Sequence, residues 1–277
     1  MTGLIQLGLI GHPVSHSLSP AMHTRWFAEA GLKATYTAWA CPSVDALPDL
    51  LAELHANPQV LGANVTIPYK TNVMPYLAFV DPLVRHIGAV NTLFRHPDYP
   101  QGWAGTNTDC GGFLESLPPP TRMQLPHTTA VVLGAGGAAR AIVAALLDAP
   151  VQQLVVVARR PEQANDLLTA LQPQRNIATV APWAQLAELP WQSVGLVVNT
   201  TPLGQKMTIS DAEWASVLPI PWAETMPGVF VDLVYAEGGT PLTRWANAHG
   251  WQAIDGLPML EAQGRLSWPY WFGAQRL

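Results

Sequence analysis

The chain has 277 residues with 14 basic and 19 acidic side chains, a net charge of −5, 12% charged and 49% apolar residues. At ~150 residues per domain this length predicts about two domains, and a charge content near half the ~25% of average soluble proteins excludes a charge-rich disordered chain. Every apolar run is broken well before the ~18 residues of a membrane span, and no block of Lys or Arg offers counterion release from phosphates, so neither a membrane nor a nucleic acid is expected as partner.

In chain order, residues 4 to 10 (LIQLGLI) read as a short buried strand entering the turn cluster Gly11, His12, Pro13. Ser19 is expected to cap a helix whose first position is Pro20 and whose apolar periodicity runs from Ala21 to Ala30, stopping at Gly31. An extended segment from 34 to 40, a helix over 44–56 and a strand over 60–67 follow, and this alternation suggests parallel βα units. A strand over 88–94 and a helix over 106–117, entered through Asn107, Thr108 and Asp109, precede the interruption at Pro118, Pro119 and Pro120. Beyond it come a strand over 128–133, a glycine turn over 134–137, a helix over 138–147 and a strand over 154–158. A helix over 161–171, strands over 194–199 and 229–234 and a helix over 240–249 continue the alternation. The fold expected is α/β in two domains. Residues 1–106 plus 256–277 form a substrate domain with a mostly parallel sheet, residues 107–255 a doubly wound Rossmann domain, with the active site in the cleft between.

The amino terminus lacks a basic region and a small-residue cleavage pattern, giving the expectation of a mature, cytoplasmic protein. Cys41 and Cys110 have no CxxC spacing and are expected as buried thiols; His12 and His16 lie in a Pro- and Ser-bearing loop, so no metal is expected. Gly134, Gly136 and Ala139 form a GxGxxA turn between a strand and a helix, where glycines admit a pyrophosphate to helix N–H groups. A tight turn without a ligand is the alternative. After the second strand, where an acidic residue would take a free ribose, stand Arg159 and Arg160. Their guanidinium forks suit a 2′-phosphate, hence NADP over NAD; an exposed strand end is the alternative. Ser17, Ser19, Asn64, Thr66, Lys70 and Asn91 are small polar groups in apolar surroundings that suit a ligand with several hydroxyls. Each also has an ordinary reading as cap, strand, turn or surface residue, and Asp109 as a helix cap.

The run Gly11-His-Pro-Val-Ser-His-Ser-Leu-Ser-Pro-Ala-Met-His23 resembles the substrate-binding loop of the shikimate dehydrogenase family, and Gly62-Ala-Asn-Val-Thr-Ile-Pro-Tyr-Lys70 resembles its lysine motif. Gly88-Ala-Val-Asn-Thr92, Asn107-Thr-Asp109, Gly134-Ala-Gly-Gly-Ala138, Asn199-Thr-Thr-Pro202, Asp232-Leu-Val-Tyr235 and Asp255-Gly-Leu-Pro-Met-Leu260 follow in the family's order. The resemblance implies NADP-dependent reduction of 3-dehydroshikimate to shikimate, with Lys70 and Asp109 as the catalytic pair. It implies that Ser17, Ser19 and Tyr235 hold the substrate carboxylate and that Asn64, Thr66, Asn91 and Gln263 bind ring hydroxyls. For the cofactor it implies Gly134, Ala135, Gly136, Gly137, Ala138, Arg159, Arg160, Thr200, Gly256 and Met259. Ala158 and Arg160 depart from the neighbours of the family's cofactor arginine, which bears on the strength of the NADP preference; Thr24 and the segment 265–271 also depart, which bears on subunit contacts in an expected homodimer rather than on catalytic groups. A quinate/shikimate dehydrogenase of broader specificity and a non-catalytic ligand-binding regulator of the same fold remain as alternatives.

Overall fold

The computed structural model describes residues 3–171, 176–205 and 210–273. The chain divides into two compact units, Met1–Gly112 with Leu260–Leu277, and Phe113–Met259. The divisions fall a few residues beyond those expected, because the helices Asp109–Ser116 and Leu257–Phe272 run across them.

In the first unit six strands, β1 (Ile5–Gly11), β2 (Ala34–Ala40), β3 (Val60–Val65), β4 (Phe79–Val80), β5 (Thr92–Phe94) and β6 (Ala104–Thr106), lie in the order β2-β1-β3-β5-β6-β4. Strand β1 runs parallel to β2 and β3, and β4 parallel to β6; β5 alone is reversed, antiparallel to both neighbours. Side chains alternate across a strand, so β1 sends Leu7 and Leu9 to one core and Ile10 to the other. One face is covered by Leu47, Leu51 and Leu54 of the helix Leu47–Ala56. The opposite face takes Trp26 and Phe27 of the helix Ser19–Glu29 together with Trp268, Trp271 and Phe272 of the C-terminal helix. The sheet is thereby closed on both sides, and polar groups at its strand ends are held in fixed places.

Local readings shift in several places. Ser19 is not the cap: Leu18 occupies that position, and the Ser19 N–H instead donates to Ser17 Oγ at 3.2 Å. The strand expected over 60–67 stops at Val65, before the Pro68 that cannot donate to a ladder, and the one expected over 88–94 contracts to β5. Strands β4 and β6 have two and three residues, too short to show a period of two.

The second unit carries β7 (Thr129–Leu133), β8 (Gln153–Ala158), β9 (Ala178–Pro182), β10 (Val194–Asn199), β11 (Val229–Asp232) and β12 (Gln252–Ile254), all paired in parallel in the order β12-β11-β10-β7-β8-β9. Counted within the unit this is 3-2-1-4-5-6, the doubly wound order whose ligand crevice opens at the carboxyl ends of the first and fourth strands. Those strands are β7 and β10. The alanine-rich helix Gly137–Asp148 follows β7 directly, its small side chains buried against the sheet. Pro119 starts a short helix, Pro119–Gln124, within the proline run, since the first helical turn needs no N–H from proline. Cys41 and Cys110 are buried, and among the described residues no helix is long and apolar enough to cross a membrane.

Candidate active site

Lys70 and Asp109 meet in the first unit. Beyond β3 the chain turns through Thr66 to Tyr69, whose hydroxyl donates to the Cys41 carbonyl at 2.7 Å and whose ring is buried. This anchors the residue next to Lys70, and the Lys70 carbonyl accepts the Val90 N–H at 2.7 Å. Asp109 opens its helix, and its N–H donates to Asn107 Oδ1 at 2.9 Å while Asn107 Nδ2 donates to the Ala89 carbonyl. The Asp109 carboxylate takes Lys70 Nζ, which donates to Oδ2 at 2.7 Å, the lysine 16% and the aspartate 5% exposed in their side chains.

Around this pair lies a buried lattice of amides and hydroxyls. Asn91 Nδ2 donates to Asp109 Oδ1 at 2.8 Å, to Thr108 Oγ1 at 3.0 Å and to Gln263 Oε1 at 3.2 Å. Asn91 Oδ1 accepts the Thr108 N–H at 2.8 Å and the Thr92 hydroxyl at 2.9 Å. Asn64 reaches the Asn91 carbonyl, Thr92 Oγ1 and Ser267 Oγ through Nδ2, and its Oδ1 accepts the Tyr36 hydroxyl at 2.8 Å. Both ends of the Asn64 amide are thus engaged by protein, whereas Gln263, which donates to the Leu260 carbonyl, keeps a second N–H. Ser17, at the loop before the first helix, and Thr66, just beyond β3, are partly exposed; Ser19 is buried.

Tyr36, Thr92, Thr108 and Ser267 belong to this lattice and were not singled out from sequence. Ser267 lies four residues after Gln263 on one helix, hence on the same face, which was the available signal. Tyr36 stacks on His23 with ring centroids 4.2 Å apart and planes within 1°. Burial, and secondarily the Arg265 charge, lower the His23 pKa to about 3, and burial raises the Tyr36 hydroxyl well above its usual value. Both rings therefore stay neutral beneath the site.

In the second unit Gly134 turns at φ +110°, where a Cβ would stand 2.6 Å from Thr200 Oγ1, itself donating to the Leu133 carbonyl at 2.7 Å. Gly136 caps the helix Gly137–Asp148 with no side-chain cap hydrogen bond and no acidic residue in its first turn, and among the described residues a Cβ on Gly136 would meet nothing within 4 Å. An open helix start beside Ala135 and Ala138 fits a pyrophosphate. Arg159 and Arg160 are exposed directly after β8. Gly256 has a second reason to be glycine: a Cβ there would stand 2.2 Å from the Leu233 carbonyl. Met259 is buried, and Tyr235, partly exposed beyond β11, belongs to the second unit while Ser17 and Ser19 belong to the first.

Asp232, at the end of β11, is fully buried. It accepts Asn199 Nδ2 at 2.8 Å, the Val234 N–H at 3.2 Å and the Thr240 hydroxyl at 2.6 Å, tying the carboxyl end of β10 to that of β11. Burial nevertheless pushes its pKa up to about 6, against those three hydrogen bonds. Among the described residues no group of three or more His, Cys, Asp or Glu side chains could hold a metal ion.

A doubly wound unit with an open glycine turn and a unit that buries a lysine–aspartate pair among amides together supply the parts of a dinucleotide-dependent α/β enzyme. Residues 9–93 match the family model of the shikimate dehydrogenase substrate binding domain. The NADP(+) shikimate dehydrogenase of Symbiobacterium thermophilum is 41% identical over 96% of this chain and 88% of its own. The crystal structure of the Aquifex aeolicus shikimate dehydrogenase superposes with a TM-score of 0.83 at 31% identity, over 99% of this chain and 94% of that one. The Thermus thermophilus shikimate 5-dehydrogenase in complex with NADP(H) and shikimate gives 0.77 at 36% identity, over 97% and 94%. The chain belongs to the shikimate dehydrogenase family.

Proposed function

We propose that this protein catalyses the reversible, NADP-dependent reduction of 3-dehydroshikimate to shikimate. The observation that carries the reading is the 2.7 Å contact between Lys70 and Asp109, buried at one wall of a lattice of hydrogen-bonding side chains. Bound NADP(H) supplies or accepts the hydride at the ring carbon. Lys70 and Asp109 take the hydroxyl proton as shikimate is oxidised and return it as the ketone is reduced, a role that needs the two groups in contact and shielded from bulk water. Asn91 holds the Asp109 carboxylate from its other oxygen and, with Thr66 and Gln263, faces the ring hydroxyls. Asn64, its amide engaged at both ends by protein as that of Asn91 is, is placed with them on the ring hydroxyls. Ser17, Ser19 and Tyr235 offer hydroxyl donors for the substrate carboxylate. In the second unit the N–H groups after Gly136 take the pyrophosphate, Arg159 and Arg160 the 2′-phosphate.

The test is spectrophotometric: shikimate and NADP⁺ are mixed with the protein and with its Lys70→Ala and Asp109→Asn variants. The parent should reduce NADP⁺, and each variant should lose roughly 10²- to 10⁴-fold in turnover, the usual worth of a positioned acid–base group, with NADP⁺ binding intact. Variants within a few-fold of the parent would remove the pair from the mechanism.

A further inference from the structure

We propose that Thr92 is a positioning residue for this reaction, its buried hydroxyl fixing the orientation of the Asn91 carboxamide so that the amino group stays on Asp109. The proposal rests on the reading of Lys70 and Asp109 as the acid–base pair. A carboxamide can sit either way round, and only partners of fixed polarity choose between the two. For Asn91 the first such partner is the Thr108 N–H, which can only donate, 2.8 Å from Oδ1. For Asn64 it is the Asn91 carbonyl, which can only accept, 3.2 Å from Nδ2. Thr92 Oγ1 stands between the two amides, 3.1 Å from Asn64 Nδ2 and 2.9 Å from Asn91 Oδ1. Because Asn64 approaches as a donor, the Thr92 hydroxyl proton is left for an acceptor, and of Asn91 Oδ1 at 2.9 Å, Ser267 Oγ at 3.0 Å and Thr108 Oγ1 at 3.3 Å the amide oxygen is the nearest and the strongest acceptor; Asn91 then presents its N–H groups to Asp109 Oδ1. Tyr36 donating to Asn64 Oδ1 sets the same polarity from the far end. Ser267 Oγ, 3.0 Å from Thr92 Oγ1 and 3.1 Å from the Gln263 carbonyl, shares its one proton between these two acceptors and links the hydroxyl to the C-terminal helix.

Thr92 is 0% exposed, so it acts on substrate only through its neighbours. Removing its hydroxyl leaves Asn91 Oδ1 with one fewer donor and the carboxylate of Asp109 with a looser partner. The consequence falls on turnover more than on substrate binding, and it vanishes once Asp109 no longer serves.

Thr92→Val, Thr92→Ala and Thr92→Ser are compared in the parent and in the Asp109→Asn background, with kcat and KM for shikimate measured at saturating NADP⁺. In the parent background Val and Ala should each lower kcat about ten-fold, the worth of one buried hydrogen bond, and change KM less than about three-fold. Ser should restore kcat to within about two-fold. In the Asp109→Asn background Thr92→Val should cost less than about two-fold more, since residues that act through one another are non-additive. The proposal is overturned by an unchanged kcat in Val and Ala while Asp109→Asn is impaired, by a loss confined to KM, by failure of Ser to rescue, or by full additivity with Asp109→Asn. A parent without shikimate-dependent NADP⁺ reduction, or an Asp109→Asn variant with parental turnover, overturns instead the functional reading on which the proposal rests.

Discussion

Asp232 makes the stability of the second unit depend on pH in a direction opposite to that of a salt-bridged aspartate. Its pKa stands at about 6 in the folded protein against 3.8 for an unperturbed carboxyl, so the folded state binds the proton more tightly than the unfolded chain. The stabilisation that this confers is complete below the unfolded value and is lost as the pH rises through about 6. Fully ionised, the buried carboxylate costs the fold roughly 3 kcal/mol, and acidification from about pH 7.5 to about pH 5 recovers roughly 1.4 kcal/mol of it. Asp232→Asn removes the titration while Oδ1 still accepts from Asn199 and Val234, and the amide nitrogen faces the Thr240 hydroxyl, which can turn to accept. The observable is the difference in melting temperature between parent and variant at each pH, in which effects of the other carboxylates cancel. Between those two pH values that difference should move in favour of the parent by roughly 3–6 °C for a unit of this size. A difference constant with pH, or one that moves toward the variant on acidification, would refute the reasoning.

The cofactor unit and the substrate unit offer one further measurement each. Arg159→Ala should raise the apparent dissociation constant for NADP⁺ by roughly 10- to 150-fold, the worth of one charge-assisted bond to the 2′-phosphate, and leave NAD⁺ nearly unchanged; equal losses for both cofactors would deny these arginines that role. Trp271, 6% exposed, donates its indole N–H to the Leu93 carbonyl at 2.9 Å and fills the space left by the missing Cβ of Gly62. Trp271→Ala should cost about 3–5 kcal/mol in denaturant unfolding, and a loss below about 1 kcal/mol would mean that the C-terminal helix does not close this core.

Much of this protein is legible in its sequence because it is local. The buried strands β1, β3, β7, β8 and β10 announce themselves as apolar runs bounded by turn residues, and the glycine turn at 134–137 shows its purpose by lying between one of them and an alanine-rich helix. The residues Lys70, Asn91 and Asp109 stand in motifs whose order along the chain already points to the family. The contacts that make them a site are not local. Asn91 meets Asp109 and Gln263 only because β5 enters the sheet reversed and the C-terminal helix folds back onto its face, bringing together residues far apart in the chain. The same packing decided that the Asp109 carboxylate meets Lys70 and Asn91, and that the Asn64 amide is engaged by Tyr36, Asn91, Thr92 and Ser267. It also gave Asp232 a proton affinity far from that of an exposed aspartate. Sequence specifies which groups are present and the period on which they lie; desolvation and hydrogen-bond direction exist only once the chain has closed around them.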